Sequence, residues 1–221
     1  MRSPGAAGAA AVAWLIVAFA RVVTGVRATW HGRAPEATPT VYFANHTSHG
    51  DFVLLWSALP APLRTRTRPV AAADYWLGSR LRRFIGQQVF RALLIERERR
   101  AGVADADPVQ AMAGRLHAGE SLILFPEGTR NVGDEPLLPF KSGLFHLAQA
   151  AADVRLVPVW INNLRRVLPK GCVVPIPLAC TVDFGAPLER RAGEPKAEFL
   201  ARAREALQGL APTNETVDEL R

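Results

Sequence analysis

The chain has 221 residues, 49% of them hydrophobic, which suits one α/β domain with a small appendage. Its 24 arginines and 3 lysines outnumber 20 acidic residues, and the net charge of +7 favours an anionic partner such as a phospholipid surface, a nucleic acid or a phosphorylated substrate. Residues 64 to 100 hold ten of the arginines and three acids. Cys172 and Cys180 form no metal-binding pattern, which argues against a zinc site, and we interpret both as small apolar residues in a reduced compartment.

The first thirty residues form an apolar segment with few charges. Ser3 to Ala20 contain no charged residue, Arg21 interrupts the pattern, and Val22 to Val26 extend it. Such a segment fits a signal peptide, a short membrane span or a helix lying in the membrane interface. We favour a retained anchor over residues 1–30, because a buried strand begins soon afterwards, and assign residues 31–221 to the domain. The basic stretch downstream predicts that this domain lies on the cytoplasmic side.

Hydrophobic runs and turn residues predict alternating strands and helices after the anchor. We predict strands at Thr40–Ala44, Val70–Ala73, Phe90–Ile95, Ser121–Phe125, Val154–Ile161 and Leu178–Phe184, and helices from Phe52 to Pro60, at Trp76–Arg83, 101–119, Ser142–Ala151 and 195–209. Pro158 predicts an irregular or edge position for its strand. Arg64, Arg66 and Arg68 predict an exposed extended segment, and the arginines beside Trp76 suit a surface resting on anionic lipid.

Two imidazoles and a carboxylate lie between the first of these strands and the helix that follows it. The stretch is Asn45-His46-Thr47-Ser48-His49-Gly50-Asp51. A neutral imidazole can accept a proton near pH 7, and a carboxylate bonded to its other nitrogen fixes the tautomer. We therefore interpret His46 as a general base oriented by Asp51. His49 competes for the same role, and a helix cap is the structural alternative.

Metal binding and covalent catalysis are the chemical alternatives. His46, His49 and Asp51 superficially resemble the metal motif of the metallo-β-lactamase superfamily, but that motif spaces its histidines two apart, whereas they are three apart here. No metal is therefore expected. A serine nucleophile elbow is absent, and neither cysteine has a histidine nearby in sequence, so direct attack by a deprotonated acceptor hydroxyl is the simpler mechanism.

Two arginines follow predicted strands and could hold a phosphate. Arg97 comes after the strand Phe90–Ile95, and Arg130 ends the loop Phe125-Pro126-Glu127-Gly128-Thr129-Arg130. Gly128 permits a tight backbone path there. Two guanidinium groups that converged near His46 would clamp a phosphate, although a single arginine of this kind is more often a surface residue.

Together, four stretches resemble the sequence blocks of the glycerolipid acyltransferase family, whose best-known bacterial members are 1-acyl-glycerol-3-phosphate acyltransferases. Asn45 to Asp51 resembles the NHxxxxD block and Leu94-Ile95-Glu96-Arg97 the second block. Phe125 to Arg130 resembles the third, although Asn131 stands where the family usually has serine, and Val157-Pro158-Val159 resembles the fourth. The blocks occur in family order over residues 41–160.

This resemblance implies a mixed sheet flanked by helices behind an N-terminal membrane-associated helix. It implies transfer of an acyl group from acyl-CoA or acyl carrier protein, with no further cofactor, to 1-acyl-glycerol-3-phosphate at the cytoplasmic face of the inner membrane. The product would be phosphatidic acid. By this resemblance His46 and Asp51 are catalytic, and the substrate-binding residues are Asn45, Arg97, Phe125, Pro126, Glu127, Gly128, Thr129 and Arg130.

One departure from the family bears on the acceptor. Many members carry lysines that help to hold the acceptor phosphate where this chain has Val70-Ala71-Ala72-Ala73-Asp74-Tyr75. We therefore expect the phosphate to contact Arg97, Arg130 and either Arg80 or Arg83, or the acceptor to be another lysolipid. A non-catalytic lipid-binding relative is the alternative of a different class, and nucleic-acid binding through the arginine stretch is not expected without a recognisable module.

Overall fold

A computed structural model describes residues 4–32, 36–96, 107–163 and 179–212. The strands are β1 Arg27–Trp30, β2 Thr40–Ala44, β3 Thr67–Ala72, β4 Leu93–Ile95, β5 Ser121–Leu124, β6 Arg155–Asn162 and β7 Thr181–Phe184. The helices are α1 Pro4–Thr24, α2 Asp51–Ala58, α3 Ala61–Arg64, α4 Ala73–Leu77, α5 Arg80–Phe84, α6 Pro108–His117, α7 Gly143–Ala150 and α8 Lys196–Gln208, and a π-helical turn, Ile85–Val89, follows α5. The alternation confirms the predicted α/β class.

All of these strands join one mixed sheet in the order β1-β7-β6-β2-β5-β3-β4. The run from β6 to β4 is parallel, whereas β7 is antiparallel to β6 and β1 is parallel to β7. The predicted mixed sheet is therefore confirmed. Because five neighbouring strands run the same way, their carboxyl ends share one edge, where ligands bind in open α/β sheets. We call it the carboxyl edge.

The central strand β2 is buried on both faces, because helices cover the sheet on each side. Val41 and Phe43 point to a core shared with α6, α7 and α8, whereas Tyr42 and Ala44 point to a core shared with α1 and α2. This alternation follows from the two-residue period of a strand. It fixes the end of β2, and hence Asn45 and His46, between two packed layers.

Local sequence signals explain the ends of α6. The Asp107 side chain accepts a hydrogen bond from the Val109 backbone N–H at 3.0 Å, and Pro108 occupies the first turn. After the last turn, Gly119 has φ +81°, a conformation that favours glycine. The predicted cap and stop are both confirmed.

The arginine stretch is not the exposed extended segment that its alternation predicts. Arg64 ends the short helix α3, and Thr67 already begins β3. The Arg68 side chain is only 13% exposed and forms an ion pair with Glu120, the residue before β5. The prediction is wrong because the acidic partner lies far along the chain.

The predicted helix Trp76–Arg83 is also wrong. The chain forms two short helices that separate at Gly78 and Ser79, and the Ser79 hydroxyl accepts the Arg82 backbone N–H at 3.2 Å. Trp76, assigned to the lipid-facing surface, is buried, and its ring lies edge-on to Phe52 and Phe90. The predicted strand Phe90–Ile95 shortens to β4 because Phe90 packs into this aromatic cluster.

Gly86, in the π-helical turn, has no room for a side chain. A Cβ there would lie 2.8 Å from Cε3 of Trp76. Gly86→Ala should therefore destabilise the fold by about 1–3 kcal/mol through overpacking. Chemical denaturation measures it, with Gly114→Ala as the matched control, since Gly114 is an exposed helical glycine with nothing within 4 Å of its added Cβ. Equal stability of both variants would contradict the packing argument.

Pro158 lies in the interior of the sheet, so of the predicted alternatives, an irregular or an edge position, the edge position is wrong. β6 pairs with β2 on one side and with β7 on the other. The Pro158 carbonyl accepts the Gly185 N–H at 2.9 Å, just after β7 ends at Phe184. The N–H and C=O of one strand residue point to the same side of the strand. A backbone N–H at position 158 would therefore point toward the chain just past the end of β7, and proline lacks only this donor.

The N-terminal segment contributes one strand as well as a helix. Residues Ala7–Thr24 of α1 are long and apolar enough to cross a membrane by length and composition. The Arg21 guanidinium donates to the Ser57 carbonyl at the end of α2, at 3.0 Å. β1 then pairs with β7, and Trp30 stacks on Phe184 with centroids 3.8 Å apart. The predicted division after residue 30 therefore places one strand of the sheet in the anchor segment.

Cys180 is a buried core residue, as interpreted from the sequence. Burial, and secondly the nearby charge of Asp51, raise the pKa of its thiol to about 11. A thiol with so high a pKa is a poor nucleophile at neutral pH. Cys172 lies outside the described residues.

Candidate functional site

The turn after β2 brings an imidazole and a carboxylate into contact. His46 Nδ1 lies 2.9 Å from Asp51 Oδ2, five residues further along the chain. Asp51 is fully buried, whereas the His46 side chain is 20% exposed. Among the described residues the structure shows no hydrogen-bond partner for His46 Nε2. The imidazole therefore has a fixed inner partner and an outer nitrogen that a ligand can reach.

Asp51 holds the shape of this turn as well as the imidazole. Its Oδ2 accepts the backbone N–H groups of Thr47 at 2.6 Å and Ser48 at 2.8 Å. Asp51 is also the first residue of α2, where a negative charge is stabilised by the helix dipole. In the described part of the chain, Asp51 Oδ1 is buried without a hydrogen-bond partner.

Asn45 ties the end of β2 to the neighbouring strand. Its amide donates to the Ile161 carbonyl at 3.0 Å and accepts the Ile161 N–H at 2.7 Å. The side chain is buried, so both of its functional atoms are used within the sheet. A role of Asn45 in substrate binding stays a prediction.

The loop after β5 holds His46 from three directions. Phe125 stacks on the imidazole with ring centroids 4.2 Å apart and planes 19° apart. Glu127 Oε1 accepts the His46 backbone N–H at 2.8 Å, and the Asn131 N–H donates to the His46 carbonyl at 2.6 Å. The loop therefore fixes both the backbone and the ring plane of His46.

Glu127 connects two segments of the chain through its carboxylate. Its second oxygen accepts the Leu138 N–H at 2.9 Å, so one buried carboxylate joins the His46 turn to the chain that follows the loop. Burial raises the pKa of Glu127, against hydrogen bonds from Leu138 and His46 that lower it. Its predicted contact with substrate stays a prediction.

The tip of the loop is exposed and available to a ligand. Gly128, Thr129 and Arg130 are all exposed, whereas Pro126 is buried. Gly128 has φ +70°, and a Cβ there would lie 3.1 Å from Cγ of Lys141. A glycine is therefore required for the path that presents Thr129 and Arg130 to solvent.

The second imidazole has a different partner. His49 is exposed and stacks on Tyr75, with centroids 5.6 Å and planes 14° apart. Burial, followed by the positive charges of Arg130 and His46, lowers the pKa of His49. The structure thus pairs Asp51 with His46, the histidine selected from the sequence. His49 lies at the exposed margin of the site, which we call the rim.

Two expectations concern residues or ions that the structure does not place. Arg97 lies outside the described residues, two positions after β4 ends at Ile95. No group of three His, Cys, Asp or Glu side chains within the described ranges could hold a metal ion. The Arg97 contact and the metal-free mechanism stay predictions.

Comparison with known proteins identifies the family. The family model described as Acyltransferase matches residues 26–162, which include β1 to β6 and the whole His46 turn. The chain belongs to the acyltransferase family. The resemblance read from the four sequence blocks is confirmed.

Named relatives of this acyltransferase chain act on more than one acceptor. The lyso-ornithine lipid O-acyltransferase of Brucella abortus is 32% identical over 160 residues, 66% of this chain and 54% of that protein. The 1-acyl-sn-glycerol-3-phosphate acyltransferase of Salmonella typhimurium is 32% identical over 56% of this chain and 46% of its own length. The Mus musculus 1-acyl-sn-glycerol-3-phosphate acyltransferase alpha is 31% identical over 67% of this chain and 50% of its own. The chain spans about half the length of these curated relatives.

A solved structure shares the fold. The crystal structure of the 1-acyl-sn-glycerophosphate acyltransferase PlsC from Thermotoga maritima aligns with a TM-score of 0.65 at 20% identity. The alignment covers 100% of this chain and 85% of that one. The mixed sheet with an N-terminal helix is therefore an arrangement already seen in a solved protein.

Sequence reasoning missed two residues beside the His46 turn. Tyr75 stacks on His49, and the Arg82 guanidinium lies over the Tyr75 ring, 4.7 Å from its centroid. The predicted continuous helix hid this contact, because the break at Gly78 and Ser79 brings Arg82 back over Tyr75. Ser79, a strong N-cap residue after a glycine, was the signal that could have located the break.

Proposed function

We propose that the chain moves a fatty acyl group from acyl-CoA or acyl carrier protein to the free hydroxyl of 1-acyl-glycerol-3-phosphate, giving phosphatidic acid. The observation that carries this proposal is the His46–Asp51 pair at 2.9 Å, with a partly exposed imidazole, in a chain of the acyltransferase family. His46 is the general base and Asp51 its orienting carboxylate.

The reaction follows from this arrangement. His46 Nε2 takes the proton of the acceptor hydroxyl as its oxygen attacks the thioester carbonyl carbon. The tetrahedral intermediate collapses with loss of the thiolate, which receives the proton from the imidazolium. Asp51 stabilises the imidazolium between these steps, and Phe125 and Glu127 keep the ring in place.

The acceptor has a second candidate. The relative from Brucella abortus is named for lyso-ornithine lipid, and its identity to this chain equals that of the Salmonella typhimurium enzyme named for 1-acyl-glycerol-3-phosphate. Both acceptors present a hydroxyl beside an anionic group, so both suit the same base. This chain has alanines where many family members carry phosphate-binding lysines. Other residues must therefore determine which of the two acceptors is used.

An acyl-transfer assay tests the proposal. The purified full chain would be given one fatty acyl chain as its acyl-CoA and as its acyl carrier protein thioester, with lysophosphatidate, lyso-ornithine lipid and a matched monoacylglycerol as acceptors. Phosphatidic acid is the expected product. Transfer to lyso-ornithine lipid alone would overturn the acceptor and keep the chemistry. Failure of both donors with every acceptor would favour a non-catalytic lipid-binding protein.

We also propose that the chain works on a membrane surface. α1 exposes Trp14, Leu15, Phe19 and Val22, and it contacts the π-helical turn that follows α5. Leu81 and Phe84 of α5 are exposed as well. Large apolar side chains exposed on neighbouring elements, beside arginines, suit burial at the boundary between headgroups and acyl chains.

The charge distribution favours the cytoplasmic face of the inner membrane. Protease added to inverted inner-membrane vesicles should therefore cleave the domain, whereas intact spheroplasts should protect it. The control is a periplasmic reporter protein, which should show the opposite pattern. Cleavage in intact spheroplasts alone would place the domain on the other side.

A further inference from the structure

Three side chains from separate segments meet at the rim of the site. The Arg82 guanidinium lies 4.7 Å from the centroid of the Tyr75 ring. The His49 imidazole lies 5.6 Å from the same ring, in a nearly parallel plane. All three residues are exposed, so a ligand in solution can reach them. A cation over a ring face is held in position by the ring quadrupole.

The position of this group relates it to the reacting centre. His49 belongs to the same turn as His46 and Asp51. On the other side, Arg130 precedes Asn131, whose N–H donates to the His46 carbonyl at 2.6 Å. Two arginines, one from α5 and one from the loop after β5, therefore border the turn that holds the general base.

The charge on these arginines is not neutralised within the described protein. Arg68, Arg91 and Arg115 surround Glu120, whereas no ion pair to Arg82 or Arg130 exists among the described residues. Burial is the largest cause of the lowered pKa of His49, and the positive charges of Arg130, His46 and Arg82 lower it further. The negative charge of Asp51 acts in the opposite direction. An anion bound here would relieve this repulsion.

We propose that Arg82, held against Tyr75, binds the anionic headgroup of the acceptor lipid together with Arg130 and so determines which acceptor is used. This inference rests on the proposed function and adds the selecting residue. A guanidinium can donate two parallel hydrogen bonds to a phosphate or to a carboxylate, which are the groups of the two candidate acceptors. Arg82 thereby replaces Arg80 and Arg83, neither of which contacts a ring in the described structure.

Kinetics on single variants would test the assignment. Arg82→Ala should raise the acceptor KM roughly tenfold by removing a charge-assisted hydrogen bond, and leave the donor KM within about twofold. Arg130→Ala and Tyr75→Ala should act in the same direction, and Tyr75→Phe, which keeps the ring under Arg82, should raise the acceptor KM less than Tyr75→Ala does. Arg80→Ala and Arg83→Ala remove the same charge from the same helix and discriminate between the two assignments. An acceptor KM raised by either of them and not by Arg82→Ala would overturn ours.

A binding measurement separates this inference from the proposed function. The pKa of His49 would be followed by NMR in the full chain in detergent micelles, with glycerol 3-phosphate, Nα-acetylornithine or glycerol added. An anion at the site raises the pKa of His49, so the effective probe shows whether phosphate or carboxylate is preferred. Arg82→Ala should abolish the rise.

The outcomes are distinct for the two proposals. A rise that depends on Arg82, in a protein that transfers no acyl group, would support the headgroup site and remove the enzyme proposal. Acyl transfer with an unchanged acceptor KM in Arg82→Ala would remove the headgroup site alone. An equal rise in wild type and Arg82→Ala, or no rise with either the phosphate or the carboxylate probe, would also overturn it.

Discussion

Replacing His46 by alanine should lower kcat by between about a hundredfold and ten-thousandfold, the range that a positioned general base contributes. The structure supports a loss of this size because the imidazole is held by Asp51, Phe125 and Glu127 rather than mobile at the surface. Binding of lipid should be retained, since the side chain is small and partly exposed. The measurement is single-turnover acyl transfer beside vesicle binding.

His117→Ala is the matched control for this variant. His117 is an exposed histidine in the last turn of α6, outside the carboxyl edge, and its replacement should leave kcat unchanged. Unchanged thermal unfolding of His46→Ala would show that the loss is chemical. Wild-type turnover in His46→Ala would instead favour a protein whose function is lipid binding, or a different base.

The local part of this site could be predicted from the sequence because it lies within a single turn. A buried strand, a His-to-Asp spacing of five and a helix start require the chain to fold back on itself, and the hydrogen bond of 2.9 Å closes that turn. The same reasoning gave the cap of α6, where Asp107 and Pro108 are adjacent. Interactions between residues only a few positions apart can therefore be predicted from the local sequence.

The supporting contacts could not be predicted because they join distant parts of the chain. Glu127 reaches the His46 backbone across 81 positions, and Asn45 reaches Ile161 across 116. Both residues carried predicted substrate contacts, which the resemblance to the acyltransferase family implied. Only the packed sheet shows that β5 and β6 flank β2 and that these side chains bind backbone groups there.

Two errors in the fold have the same origin. Pro158 suggested an irregular or edge strand because proline lacks a donor, yet β7 ends before that donor would be needed. Arg68 suggested an exposed segment because arginine is rarely buried, yet Glu120 pairs with it. In both positions a neighbouring strand or loop removes the local cost, and its place is set by tertiary structure.

Asp51→Asn should lose most of the catalytic factor that His46 supplies, roughly a hundredfold in kcat. If the amide oxygen takes the place of Oδ2, it still accepts from His46, Thr47 and Ser48, but a neutral group stabilises the imidazolium less. The amide NH2 then occupies the position of Oδ1, which is buried without a partner among the described residues, and costs about 1–3 kcal/mol. If the amide flips, its NH2 favours the tautomer in which Nε2 carries the proton and cannot accept another.

Asp107→Asn is the matched control, because Asp107 caps a helix outside the site and asparagine caps as well as aspartate. It should leave both stability and kcat near wild type. The sharper measurement is the double variant His46→Ala with Asp51→Asn. If Asp51 acts only through His46, the double variant should be no slower than His46→Ala, because residues that act as a unit are not additive. Losses that multiply would show that Asp51 has a separate role, and the pair would then not be the catalytic unit.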